Sequence, residues 1–370
     1  MVRQNESDPW QNGHPLMRIE DGRLVGSLFG LSPSTTYFIK VLDGAHEITG
    51  STTTQPTELQ FTPSTIIYVN DDAPTGGNGS AAAPFRTIQE GVNRAMPGTQ
   101  VLVADGIYRE AVTFPASGTS SKWIQVKVAG SGAILDGSES LAGRKWTALS
   151  GVSKIWFIKL GRPIAYLARD KNRFYNYDNL ASLKQSRGHE KVTIKEGWFY
   201  DPATTRLYVR SLDSPSRHSW QAPYLNHAFD VNGRDWIWIE GFEMRYYGTK
   251  TDGCGVCTTN ASHVVIRKNK IHNIQLGIFI NWNGANIQGN DTRIEANEIF
   301  DPFVNEWPWK AVKGTSMEGT GIVLRGHIGA IVRDNEIHHY FNEIYTGSSA
   351  ALENPDIAFD ADIYNNRIHH

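Results

Sequence analysis

The stretch VVIRKNKIHN, residues 264–273, opens as a strand, breaks at Lys-Asn-Lys, and then offers one more apolar residue and a histidine. The phrase returns as TRIEANEIFD (292–301), AIVRDNEIHH (330–339) and ADIYNNRIHH (361–370). Aligned with an earlier hexad at 239–244, the fourth positions are Phe242, Asn269, Asn297, Asn335 and Asn366, separated by 27, 28, 38 and 31 residues. Periods of this size belong to stacked repeat architectures. Each hexad is too short for a helix, and its apolar residues flank a polar corner. A parallel β-solenoid satisfies this with one strand, a sharp bend at Asn, a second strand and a return. Asn tolerates the left-handed backbone such a bend requires. Stacked amides can also bond from one coil to the next. Asn269, Asn297, Asn335 and Asn366 are therefore expected to form a structural ladder, with Phe242 stacking at one end.

Between the hexads runs a second phrase, GVCT (255–258), GIFI (277–280), GIVL (321–324) and EIYT (343–346). It reads as the third strand of each coil. Val256, Ile278, Ile322 and Ile344 are expected to point inward, and Cys257, Phe279, Val323 and Tyr345 outward. The bulk numbers agree with a strand-rich chain: 370 residues, 35 glycines and 11% aromatics. With 36 basic against 38 acidic residues there is no basic stripe for nucleic acid. No apolar run is long enough to span a membrane.

Three regions stand outside the repeat. Residues 1–56, with GLSPSTTYFIKVLDG and a Thr-rich exit, resemble the last strands of a fibronectin type III module, which implies a small β-sandwich remnant acting as a spacer. A linker follows at 57–64. From Thr65, the stretch STIIYVNDDAPTGGNG leads into a short amphipathic helix with Ile88, Val92 and Ala95 on one face, ended by Pro97-Gly98. TQVLVADGIYRE and WIQVKVAGSGAILDGSE continue as strands and tight turns. About 50 consecutive residues here resemble the entry of pectate-lyase-like right-handed parallel β-helices. The resemblance implies an all-β right-handed parallel β-helix over 65–370, capped at its N-terminal end by the short helix. Residues 143–220 break the rhythm with antiparallel strand patterns and read as an inserted β-rich subdomain. The chain stops at NNRIHH, mid-coil, so further C-terminal coils are expected.

The resemblance also implies where substrate would lie: along the third sheet, between its flanking loops. The longest coil carries its extra residues in DPFVNEWPWKAVKGTSMEGTG (301–321), and loops of this length in a tight solenoid usually have a task. Trp307 and Trp309 would stack on sugar faces, or merely pack on the coil. On the other flank Asn281, Trp282, Arg325 and His327 follow the third strands, and Phe279 and Tyr345 face outward between. If mechanism follows the resemblance to polysaccharide lyases, β-elimination on an acidic, uronate-containing polysaccharide needs a carboxylate clamp, a base and a proton donor. Arg325 would clamp, and Lys310 or Lys313 would be the base, with Glu318 and His327 as further catalytic candidates. Asp356, Asp360 and Asp362 would supply oxygen ligands for Ca²⁺, against the plainer reading of solvated turn aspartates. No single lyase family's catalytic motif is matched.

Two other functions stay open. A glycoside hydrolase on this fold would use paired carboxylates, with Glu318, Asp334 and Glu343 as candidates. A non-catalytic carbohydrate-binding or adhesin-type solenoid would need aromatics alone. His272, His338 and His369 share one register with Phe300 between them, which reads as an exterior stack rather than a metal site. Cys254 and Cys257, in a strand where side chains three apart face opposite sides, are expected to be free structural thiols, a strained disulfide being the second reading. The overall expectation is a monomeric, secreted or cell-surface carbohydrate-active protein with a polysaccharide substrate. The stretch MVRQNESDPW does not read as a basic and apolar leader.

Overall fold

The structure, a computed structural model, describes all residues except 19–21, 23, 27, 29, 45, 55–57, 283–288, 304–306, 314, 316–317, 348–360 and 370, with Trp309 described by its backbone alone. It separates into two units, Met1–Thr62 and Pro63–His370. In the first, Thr36–Asp43 and His46–Thr53 form a hairpin in full register, with Val2–Arg3 pairing beside it. The backbone N–H of Ser32 donates to the Tyr37 hydroxyl at 2.8 Å.

The second unit is a right-handed parallel β-helix. Each hexad supplies two strands around a corner: Val264–Arg267 and Lys270–His272 in one coil, Arg293–Glu295 and Glu298–Phe300 in the next. The third phrase supplies Cys254–Thr259, Leu276–Asn281, Thr320–Leu324 and Asn342–Thr346. Equivalent strands of successive coils pair in parallel, giving stacked sheets of eight, seven and six strands. Isoleucines, valines and Phe242 from all three sheets fill one continuous core.

The asparagine ladder runs inside the coil. Asn269 Nδ2 donates to Asn297 Oδ1 at 3.1 Å, Asn297 Nδ2 to Asn335 Oδ1 at 2.9 Å, and Asn335 Nδ2 to Asn366 Oδ1 at 2.9 Å. Each Oδ1 also accepts the backbone N–H of the preceding rung, and Phe242 N–H closes the series on Asn269 at 3.0 Å. One detail of the sequence reading is corrected. The left-handed residue is not the asparagine but its predecessor: Gly241, Lys268, Ala296, Asp334 and Asn365 have φ of 90°, 55°, 54°, 57° and 55°. The bend turns at the exposed side of the corner, which frees the asparagine to aim its amide inward at backbone groups that water cannot reach.

The third strands are bent as well. Gly255, Gly277 and Gly321 stack in one column, where a Cβ on Gly255 would lie 2.7 Å from the Gly277 carbonyl oxygen and one on Gly277 2.5 Å from that of Gly321. Only a residue without a side chain permits this approach. The bend overturns the free-thiol expectation. A straight strand would hold residues three apart at roughly 10 Å, whereas Cys254 and Cys257 have Cα atoms 5.8 Å apart and are joined by a disulfide.

At the N-terminal end the helix Ile88–Arg94 is closed by a capping box between Thr87 and Glu90. Glu110, from GIYRE, accepts the first helical N–H groups of Ile88 and Gln89 at 2.8 and 2.9 Å. The carboxylate thereby satisfies donors that a helix start leaves orphaned. Between the second-sheet strand Ala133–Asp136 and the third-sheet strand His227–Asp230 lie two four-stranded antiparallel sheets, spanning Ser138–Ser140 through Trp220–Pro223. They have their own apolar clusters, built on Trp198, Trp220, Tyr175 and Tyr177.

Candidate functional site

The two faces of the third sheet follow from strand alternation. Val256, Ile278 and Ile322 are fully buried in the coil, and Ile344 packs against them. In register on the outer face stand Asp230, Cys257, Phe279, Val323 and Tyr345, one per coil. Arg325, one residue past Thr320–Leu324, places its guanidinium 5.7 Å from the Phe279 ring centroid and 5.5 Å from that of Tyr345. The two rings belong to the coils on either side, so one cation is held over three successive coils. Stacking of this kind keeps the planar donors oriented for a carboxylate.

Two banks border this face. One comprises the antiparallel insertion, residues 246–253 and residues 301–303, 307–313, 315 and 318–319; the other comprises residues 260–263, 282, 289–292 and 325–329. On the first bank Lys310 is exposed on the short helix Trp309–Val312, Lys313 is exposed just after it, and Glu318 is half-buried. These residues enter the same coil that carries Arg325. Trp307 stacks on Phe303 at 4.8 Å and meets Tyr175 of the insertion edge-on at 5.5 Å, so its ring is engaged in packing. The Trp309 side chain lies outside the described residues.

The second bank is more closed than its sequence suggests. Asn281 ends its strand, and its carbonyl accepts Asn260 N–H at 3.0 Å. The Trp282 indole N–H is buried without a partner among the described residues. His327 is fully enclosed, neither ring nitrogen has a partner among the described residues, and burial pulls its pKa down to about 4. It is a neutral imidazole inside the coil rather than a group on the open face. Of the proposed calcium ligands, Asp356 and Asp360 lie outside the described residues, while Asp362 stands on the first sheet beside Ile331, away from Arg325. No three metal-ligating side chains converge among the described residues.

The carboxylate candidates separate in the same way. Asp334 sits at the first corner beside Arg333 and Asn365. Glu343 is the second residue of the strand Asn342–Thr346, in the column that holds Gly255, Gly277 and Gly321 in the preceding coils. Burial pushes its pKa up to about 7, against the opposing N–H of Tyr340. Glu318 and Glu343 enter the third sheet in neighbouring coils, whose spacing is about 4.8 Å. The histidine column is a continuous stack on the second sheet: His272 on Phe300 at 4.9 Å, Phe300 on His338 at 4.8 Å, and His338 on His369 at 4.8 Å.

One pair on the face escaped the sequence reading. His227 and Asp230 occupy the positions of Cys254 and Cys257 one coil earlier, and their side chains meet at 3.7 Å. Their three-residue spacing signals a shared face only once the bend at the glycine column is known.

No family model matches the chain, and no curated protein matches it. Solved structures do. A complex of XylC with xylose is similar at TM-score 0.56 with 16% identity, covering 82% of this chain and 63% of XylC. The pectate lyase Pel9A matches at 0.41 with 14% identity, covering 75% and 49%. A glycoside hydrolase matches at 0.46 with 10% identity, covering 83% and 88%. The shared feature is the right-handed β-helix. This chain spans less than two thirds of the length of XylC and Pel9A.

Proposed function

We propose that the outer face of the third sheet binds sugar and that the protein is a carbohydrate-active β-helix enzyme. The observation that carries this reading is Arg325 held over Phe279 and Tyr345. Aromatic faces accept the C–H surface of a sugar ring, and a guanidinium between them accepts a carboxylate in bidentate fashion. The favoured chemistry is β-elimination on a uronate-containing polysaccharide. Arg325 would neutralise the carboxylate, which acidifies C5–H; Lys310 or Lys313, as the neutral amine, would take that proton; the electron pair would form C4=C5 as the C4–O bond breaks, and the leaving O4 would take a proton from solvent. The described residues do not assemble a calcium site, and no step is assigned to Ca²⁺.

Hydrolysis is the second reading, supported by Glu343. A carboxyl titrating near 7 is poised as a general acid, with Glu318 in the neighbouring coil as its counterpart. The similarity to a protein solved with xylose supports sugar chemistry without choosing between the two. The disulfide supports an oxidising, extracytoplasmic setting. The bond from Ser32 N–H to the Tyr37 hydroxyl, a tyrosine-corner contact of sandwich domains, supports a fibronectin-type reading of residues 1–56.

The test is incubation with pectate, alginate and neutral glycans, with and without Ca²⁺. Absorbance of an unsaturated product identifies elimination. New reducing ends without it identify hydrolysis. Retention of glycan with neither leaves a binding protein and refutes the enzyme reading.

A further inference from the structure

The insertion has so far no task, yet it supplies the most buried charged contact to the bank that carries Lys310, Lys313 and Glu318. Arg173 lies on its short strand Asn172–Arg173. The guanidinium donates to Asp301 Oδ2 at 2.8 Å, with side-chain exposures of 6% and 2%, so both charges are out of water. Asp301 Oδ1 accepts the Tyr166 hydroxyl, also from the insertion, at 2.6 Å. Arg173 N–H donates to the Pro302 carbonyl at 2.6 Å. At the other end of the same loop, a Cβ on Gly319 would lie 3.2 Å from Arg173 Nη1. One side chain from the insertion thus stands in the mouth of the 301–319 loop and touches both its ends. Further out, the Tyr175 hydroxyl donates to the Ala311 carbonyl at 3.2 Å, and Ala311 is fully buried among insertion residues.

We propose that the insertion is a clamp which fixes Asp301, Pro302, Ala311 and Gly319, the described anchor points of the segment that carries Lys310, Lys313 and Glu318, with Arg173 and Asp301 as its positioning residues. The proposal rests on the sugar-binding reading of the third sheet for its functional half alone. A buried, bidentate-capable cation holds geometry in a way a surface lysine would not. The clamp serves either chemistry, since the loop carries both the lysines and Glu318.

The experiment compares wild type, Arg173→Met and Arg173→Lys in the full chain, well below their thermal transitions. Tryptic cleavage after Lys310 and Lys313 is followed by mass spectrometry, and kcat and KM are measured on the glycan that wild type turns over. Arg173→Met should be cut about tenfold faster or more, a factor corresponding to one lost charge-assisted hydrogen bond. It should also lose kcat to a similar extent with KM little changed, and Arg173→Lys should recover part of both. Should Arg173→Met fail to fold, Tyr175→Phe removes the Ala311 bond, together with the one its hydroxyl accepts from His189 N–H within the insertion, and should still speed cleavage after Lys310. Unchanged cleavage in a folded variant overturns the clamp, whatever the activity. Faster cleavage with unchanged kcat overturns the positioning role. An inactive wild type sinks the enzyme reading separately, and cleavage alone then decides the clamp.

Discussion

Asn297 concentrates the stabilising logic of the coil in one side chain. Its Oδ1 accepts Asn269 N–H and Nδ2, while its own Nδ2 donates to the Ile266 carbonyl and to Asn335. Asn297→Ala would strand several of these groups in the core. At roughly 1–3 kcal/mol for each buried group left unsatisfied, a loss of about 3 kcal/mol or more is expected in denaturant unfolding. The neighbouring Ala296 makes the opposite case. It holds φ of 54° without a glycine's freedom or an asparagine's local bonding. An L-residue there costs about 1–2 kcal/mol, and glycine's larger unfolded-state entropy returns part of it. Ala296→Gly should therefore raise stability by about 0.5–1 kcal/mol in the same measurement. A loss of stability would show that the corner is not strained.

At the scale of the element, the stack on the second sheet is anchored through His272, whose Nε2 lies 3.2 Å from Glu243 Oε1. That contact, more than the nearby Arg245, holds the Glu243 pKa down to about 2 from its ordinary 4.5. A depressed carboxylate pKa gives stability that is complete above pH 4.5 and is lost as pH falls through about 2. Wild type should therefore exceed Glu243→Gln in thermal midpoint at pH 6, with the gap closing on acidification toward pH 2. A gap that is constant with pH would assign it to packing. The hexads were legible in sequence because the same apolar and polar pattern recurs in each coil, and period alone places their strands. The bend that joins Cys254 to Cys257 was not. It depends on glycines 22 and 66 residues further along, at 277 and 321, stacked in one column with Gly255. Likewise nothing local to Arg173 points to Asp301, 128 residues away.

For the molecule as a whole, stacking converts sequence distance into adjacency. Phe279, Arg325 and Tyr345 come from three successive coils and meet on one face. The sequence reading turned Phe279 and Tyr345 outward and set Arg325 on the flank, without joining the three. It misjudged His327, because a residue just past a strand can turn inward as easily as outward, and only packing decides which. The same geometry limits the chemistry: His227 stands about three coil spacings from Arg325, or roughly 14 Å, too far to act on the same sugar ring.

The most direct measurement is calorimetric titration of wild type and Arg325→Met with an acidic oligosaccharide and with its carboxyl-reduced, neutral counterpart. Loss of a charge-assisted bidentate contact should weaken binding of the acidic ligand by about tenfold or more, while both proteins bind the neutral one alike. Equal affinity of wild type and Arg325→Met for the acidic ligand would contradict the placement of the sugar on the third sheet.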